Sequence, residues 1–247
     1  MKLRLWVALL IAVVGAATLA VCTTDHGEAL AGYLYAKARG GYSVDERLAA
    51  LSAQVLPSWQ ADFAAAQVPF PPTEVSYVAF KDSRKLEVYA RAQPDTSWHR
   101  IRTYPILGLS GQPGPKLREG DGQVPEGLYR AEFLNPNGRF HVSIRLNYPN
   151  AFDRRQAQAD GRTQLGRDIM IHGTASSVGC LAVGNRATEA LFALAALVGK
   201  EQVRILISPT DSRQSPMPTR QAEQPAWLPG LYEQIQRELL TYPGAPA

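Results

Sequence analysis

Between residues 45 and 66, Leu48, Leu51, Val55, Trp59 and Phe63 recur at steps of three and four. That spacing gathers apolar side chains on one face and predicts an amphipathic helix. Pro57 falls inside it and is expected to bend or interrupt it, because it lacks an N–H and its ring clashes with the preceding turn. Val68-Pro69-Phe70-Pro71-Pro72 then predicts a stiff extended connector. A boundary is placed there, between a helical N-terminal region (23–68) and a domain spanning 69–208.

Beyond the connector the apolar runs shorten to strand length. Strands are predicted at 74–80, 85–91 and 100–107, the first two joined by an Asp82-Ser83 turn, as an antiparallel meander. Further strands are predicted at 127–133, 140–147, 168–172 and 202–207. A helix is predicted over 186–198, with Asn185 as N-cap, Glu189 in the first turn favouring the dipole, and Leu191, Leu194, Ala195 and Val198 on one face. Gly199 stops it. Residues 209–247 read as a Pro-rich linker and a short peripheral helix through Leu231, Ile235 and Leu239. The fold class is therefore mainly β with helices: a small mixed sheet or sandwich carrying one packed helix, with helical extensions at both ends.

Two stretches depart from this pattern. Residues 108–125 are rich in Gly and Pro, with Gly111, Gly114, Gly120 and Gly122, and form a long loop of the kind that carries function inside a compact domain. At the start, Lys2 and Arg4 precede an apolar run from Leu5 to Cys22, the pattern of an export signal. Its length of about 18 residues fits either a cleaved signal peptide or a retained inner-membrane anchor, so a periplasmic location is expected. Leu19-Ala20-Val21-Cys22 resembles a bacterial lipoprotein box, with Val21 where a smaller residue is usual.

Composition narrows the chemistry. An apolar fraction of 45% with 19% charged residues is that of an ordinary folded protein. The net charge of +4 comes from dispersed Lys and Arg, which is not a nucleic-acid footprint. Cys22 and Cys180 are the chain's two cysteines, and the first lies in the export segment, so no disulfide framework is expected. His26, His99 and His141 show no metal-ligand spacing, and neither metal nor other cofactor is expected. Glu119, Asp121 and Glu126 offer carboxylates for glycoside hydrolysis, but in a Gly-rich loop they more often cap turns or hold substrate amines.

The chemistry-bearing segment is Ile169-Met170-Ile171-His172-Gly173, followed by Gly179-Cys180-Leu181. A strand delivers His172 at its end, and eight positions later Cys180 follows a glycine, so a turn can bring thiol and imidazole together. An ordinary thiol, with a pKa of about 8.5, is mostly protonated at neutral pH, and a neighbouring imidazolium raises its thiolate fraction. Gly179 leaves room for a carbonyl, and the turn's N–H groups can face an oxyanion. Read alone, each group has a structural alternative: a buried cysteine as a small hydrophobe, and a core histidine bonded to backbone.

The run Ile171-His172-Gly173 through Ser177-Val178-Gly179-Cys180 resembles the signature of the L,D-transpeptidases, the YkuD-domain family. Tyr104-Pro105 to Gly108, Gly114-Pro115-Lys116, Glu119-Gly120-Asp121, Pro125-Glu126-Gly127-Leu128-Tyr129 and Asn147-Tyr148-Pro149-Asn150-Ala151 extend the resemblance over residues 72–207. It implies a cysteine acyltransferase acting on peptidoglycan stem peptides, with Cys180 as nucleophile and His172 as base. Gly173 orients the imidazole through its carbonyl, and Ser177 and Gly179 complete the motif. Lys116, Arg145 and Tyr148 are candidate substrate-binding residues. Val178 stands where the family has a histidine and Ala182 where an arginine commonly follows the nucleophile. Both departures resemble a murein L,D-transpeptidase-related branch, which leaves transfer to an amine, hydrolysis releasing a murein-linked lipoprotein or trimming stems, and non-catalytic murein binding as alternatives.

Overall fold

The structure, a computed structural model, describes residues 24–244. The export segment, including Cys22, lies outside the described residues. Among those described, no helix is long and apolar enough to cross a membrane.

Two helices lead the described residues. In α1 (Asp25–Ala38) the Thr24 hydroxyl caps the N-terminus by accepting from the Gly27 N–H at 3.1 Å. This helix lies within the helical 23–68 region read from the sequence, which drew no separate helix here because Leu30, Leu34 and Tyr35 are exposed instead of forming a buried stripe. Helix α2 (Val44–Ala65) opens on a reciprocal capping box between Ser43 and Glu46. It runs through Pro57 without interruption, contrary to expectation. Leu51 and Val55 before the proline, and Trp59 and Phe63 after it, are all buried in the core, and packing of that stripe keeps the helix continuous through the proline.

Eight strands follow in the order β3-β2-β1-β8-β4-β5-β6-β7: β1 (Glu74–Phe80), β2 (Lys85–Arg91), β3 (His99–Pro105), β4 (Gly127–Asn135), β5 (Ser143–Leu146), β6 (Met170–His172), β7 (Leu181–Ala182) and β8 (Val203–Ser208). The first three form the expected antiparallel meander. All seven residues of β1 are buried, as suits a strand covered on both faces and paired in parallel with β8. Strand β4 serves both halves of the sheet. Its first residues, Gly127 to Arg130, pair with β8, and from Ala131 onward it pairs with β5, with a register irregularity between Ala131 and Phe133. That break re-aims the chain and curls the sheet toward β6 and β7.

Helix α4 (Asn185–Val198) packs with α2 against one face. Trp59 Nε1 donates to the Ala190 carbonyl at 2.9 Å and the Tyr77 hydroxyl to that of Leu191 at 2.7 Å, tying both elements to this helix. The N-terminal helical region thus shares one core with the sheet. Two details of α4 differ from the sequence reading. Gly184 is the N-cap and Asn185 is already helical, and Glu189 lies beyond the first turn, where it binds His141 Nε2 at 2.7 Å.

The other face is covered by α5 (Leu228–Leu239), expected at the periphery. Leu228, Leu231, Tyr232, Ile235 and Leu239 are buried against Val78, Phe80, Tyr89 and Leu206. At about 1.5–3 kcal/mol for each large apolar side chain removed from water, this second core makes the C-terminal helix integral to the fold. Helix α3 (Ala151–Ala159), missed by the sequence reading, is nucleated by Asn150, whose side-chain oxygen accepts from the Phe152 and Asp153 N–H groups.

Candidate active site

Strands β6 and β7 are parallel, with Ile171 opposite Leu181 and His172 opposite Ala182. Ile171 and Leu181 are fully buried in the core. Because side chains alternate along strands, His172 and Cys180, two positions apart in this register, fall together on the opposite side. The turn between them is closed by the Gly-rich region. The N–H groups of Leu107 and Gly108 both donate to the Ala182 carbonyl, and Ala182 N–H returns to Gly108 at 2.9 Å. A Cβ on Gly108 would stand 2.5 Å from the Ala175 carbonyl oxygen, so only glycine lets the two segments approach this closely.

His172 is buried, its ring tilted against Phe140 at a centroid distance of 5.3 Å. Its Nδ1 lies 2.6 Å from the Gly173 carbonyl oxygen, an acceptor only, so the Nδ1 position carries the proton and Nε2 is left as the basic nitrogen. Gly173 is anchored in turn: its N–H donates to Phe140 O at 3.1 Å, and Thr174 N–H donates to Asn185 Oδ1 at 3.0 Å. Thr174 is held at a positive φ of 65°, an outlier for a β-branched residue and the kind of strain found at functional sites. Asn185 extends the scaffold to the N-terminal helix, its Nδ2 donating to Asp25 O at 2.8 Å.

The Cys180 thiol is half-buried, and its hydrogen bond runs to the Asp168 carbonyl at 3.6 Å. Both N–H groups of the turn are engaged by hydroxyls: Cys180 N–H donates to Ser177 Oγ at 3.0 Å and Gly179 N–H to Ser110 Oγ at 2.7 Å. Ser110, which sequence reasoning passed over, also donates to Gly122 O at 2.6 Å and so clamps the Gly-rich loop to the nucleophile's turn. Its only sequence signal was a hydroxyl beside Gly111 in a loop already marked as functional.

Burial pushes the Cys180 thiol up from its ordinary value, and the Asp168 carboxylate adds to this, against the opposing effects of hydrogen bonding at Met170 and of Lys116 and Ser177. Burial pushes His172 down, partly offset by its bond to Gly173 and reinforced by His26. Both shifts favour uncharged forms, a neutral thiol and a neutral imidazole at neutral pH.

The remaining candidates have varied surroundings. Lys116 is buried, its Nζ donating to Asp121 Oδ1 at 2.6 Å and Arg118 O at 2.9 Å. Against the effect of burial, that ammonium and the N–H groups of Arg118, Gln123 and Leu117 hold the Asp121 carboxyl below the usual range. The Tyr148 hydroxyl is also buried and donates to the carbonyls of Lys116 and Leu165. Arg145 stays partly exposed, paired with Glu132 and Asp168 at 3.2 Å each. Glu126 is buried against Lys81, leaving Glu119 as the loop carboxylate that faces a groove. Val178 projects into solvent at 82% exposure, whereas Ala182 is buried.

No protein-family model matches the chain. Among curated proteins it is 33% identical over 135 residues to the Escherichia coli (strain K12) protein named "Putative L,D-transpeptidase YafK", covering 53% of this chain and 52% of that one. The matched region is similar in sequence to that L,D-transpeptidase-named protein. The chain spans about half the length of the curated relatives it matches. Among solved structures it is similar to Bd1075 of Bdellovibrio bacteriovorus (24% identity, 56% of this chain and 49% of that one, TM-score 0.40). It is also similar to the helical cell shape determining protein Pgp2 of Campylobacter jejuni (21% identity, 62% and 56%, TM-score 0.42).

Proposed function

We propose that this protein is an exported cysteine acyltransferase of the bacterial cell wall, acting on peptidoglycan stem peptides in cell-wall biogenesis or remodelling. The observation that carries the reading is the His172 imidazole, committed through Nδ1 to the Gly173 carbonyl and left basic at Nε2, on the same side of the β6–β7 pair as the Cys180 thiol. The similarity of the region to the Escherichia coli protein named a putative L,D-transpeptidase supports it, and the apolar run at 5–22 supports a periplasmic location, as a cleaved signal or an inner-membrane anchor.

In the proposed cycle, His172 Nε2 takes the thiol proton as Cys180 Sγ attacks the carbonyl on the L side of an L-to-D bond at diaminopimelate. The N–H groups of Gly179 and Cys180 turn from the serine hydroxyls to the oxyanion. Collapse breaks the C–N bond, the leaving amine takes the proton from His172, and a thioester remains on Cys180. An acceptor amine attacks the thioester, loses its proton to His172, and the thiol is regenerated with that proton. Lys116 and Tyr148 act by holding the loop and the 165–168 segment around the site, and Arg145 by bracketing Asp168.

Water as acceptor makes the same cycle a hydrolysis, releasing a murein-linked lipoprotein or trimming stems. This second reading is favoured by the absence of a cation two positions after the nucleophile, where Ala182 is buried and backbone-paired to Gly108. Purified sacculi incubated with wild type and with Cys180→Ala, with and without an added amine acceptor, test both. Crosslinked or amine-exchanged muropeptides from wild type alone establish transfer, and shortened stems or released peptide alone establish hydrolysis. Equal sacculus binding with no product from either protein would leave a murein-binding module and sink the catalytic reading.

A further inference from the structure

A groove of about 740 Å³ opens beside the site between α3 and the 161–167 segment, with Glu119, Arg154, Arg162, Gln164 and Arg167 on its walls. It is joined to the nucleophile by the chain itself. Arg167 immediately precedes Asp168, whose carbonyl accepts the Cys180 thiol. Glu119 N–H donates to the Gln164 carbonyl at 2.9 Å, fastening the Gly-rich loop to the opposite wall.

The charges of the groove are unevenly used. Arg162 is spent internally, on Asp160 and the Leu117 carbonyl, and Asp160 is further satisfied by Trp227 Nε1. Among the described residues Arg154 forms no ion pair, its nearest electrostatic neighbour being Asp153. Arg167 is 86% exposed and meets only Asp168, at 3.4 Å. Two guanidiniums with free donors on the walls of one groove, one of them next in sequence to the residue that accepts the Cys180 thiol, suit carboxylates, because the planar fork donates to a carboxylate in bidentate fashion.

Resting on the acyl-transfer reading above, we infer that this groove is the stem-peptide subsite, in which Arg154 and Arg167 hold the free carboxylates of the stem and Glu119 its free ammonium group. The cations displaced from position 182 are thus supplied by α3 and by the segment leading to Asp168. The probe is a soluble stem tetrapeptide containing diaminopimelate, beside the same peptide with its carboxylates amidated.

Affinity is measured by calorimetry in the Cys180→Ala background, which needs no turnover. The Arg154→Gln/Arg167→Gln pair is expected to weaken binding of the free-acid peptide by about tenfold or more, as loss of charge-assisted hydrogen bonds implies, and to leave the weaker amidated peptide unchanged. Arg237→Gln, an exposed site on α5, should change neither. Equal affinity of the double variant and its parent for the free acid would overturn the subsite. With Cys180 intact, arginine-dependent binding without any product or acyl adduct would leave the subsite standing and remove the acyl-transfer reading.

Discussion

The proton on His172 Nδ1 is given to the carbonyl of the very next residue, Gly173, at 2.6 Å. A backbone oxygen thereby does what a carboxylate does in other triads, fixing tautomer and ring orientation without bringing a second charge into a buried site. The arrangement depends on Gly173 being glycine. A Cβ there would stand 2.5 Å from Asn185 Oδ1 and 2.9 Å from both His141 Cβ and the Phe140 carbonyl oxygen. Gly173→Ala is therefore expected to displace the orienting carbonyl. Acylation of Cys180 by a carbapenem, followed by intact-protein mass spectrometry, should slow by about 10²-fold, the scale of a small misplacement of a catalytic group. A loss below threefold would show that the carbonyl does not set the imidazole.

Because burial raises the Cys180 thiol and lowers His172, a preformed thiolate–imidazolium pair is not expected. Simple alkylation by iodoacetamide should keep rising with pH beyond the ordinary thiol value of about 8.5, with no plateau near neutrality. Acyl transfer behaves differently, since its base needs only a neutral imidazole. Its rate should fall as pH drops through a His172 pKa below the usual value of about 6.5. His172→Gln should abolish that acid limb and lower the rate by about 10²–10⁴-fold, the range of general base catalysis. A neutral-pH alkylation plateau lost in His172→Gln would indicate an ion pair instead.

What was legible in the sequence is what rests on local pattern. The bounds of β1 and β2 are as predicted, since alternation and the Asp82-Ser83 turn mark them. His172 and Cys180 stand out because a strand end and a Gly-Cys step are local signals. The parallel pairing of β6 with the two-residue β7 was not legible, because so short a strand has no periodicity and exists only through Gly108 and His172 as neighbours. Nor was the role of Asn185, whose side chain holds Thr174 and reaches Asp25, 160 residues away in sequence. Its residue type suits an N-cap equally well, and tertiary contacts decide between the two. Arg167, beside Lys116 and Arg145, could be read as a binder of acidic substrate groups or as a solvated charge, and Arg154 gave no signal of its own; α3 and the 161–167 segment place the two on one groove.

The Gly-rich loop owes its shape to a buried ion pair. Lys81 Nζ donates to the carbonyls of Gln112, Gly114 and Val124 and meets Glu126 Oε1 at 3.0 Å, while Glu126 also accepts from Gly114 N–H and the Tyr232 hydroxyl. Burial pushes the Lys81 ammonium down from its ordinary value, with Glu126 opposing. Lys81→Met strands a carboxylate and three carbonyls, so urea unfolding should show a loss of about 3–5 kcal/mol. Adding Glu126→Gln should restore part of it, because the orphaned charge is removed. Strictly additive losses in the double variant would mean that the two residues act independently.

Asp153 offers a pH test of the groove's helical wall. It closes the α3 capping box, accepting from Asn150 N–H at 2.9 Å, and is approached by the Tyr129 hydroxyl at 3.4 Å. Burial nevertheless pushes its carboxyl up from 3.8 to about 6, outweighing those hydrogen bonds and the nearby Arg154 and Arg162. A carboxyl raised in the folded state contributes stability that is fully present below its unfolded value and is lost as pH rises through the folded one. Its contribution should therefore decline between about pH 4 and 6, by up to about 3 kcal/mol at 1.36 kcal/mol per unit. Asn keeps a side-chain oxygen for Asn150 and carries no charge. The Asp153→Asn variant should match wild type near pH 3.5 and exceed it increasingly up to pH 7, read from urea midpoints at each pH. Parallel stability curves would mean that Asp153 is solvated in the folded protein, and α3 would then owe its position to Asn150, to the burial of Ala157 and to the packing of Phe152 against Trp227.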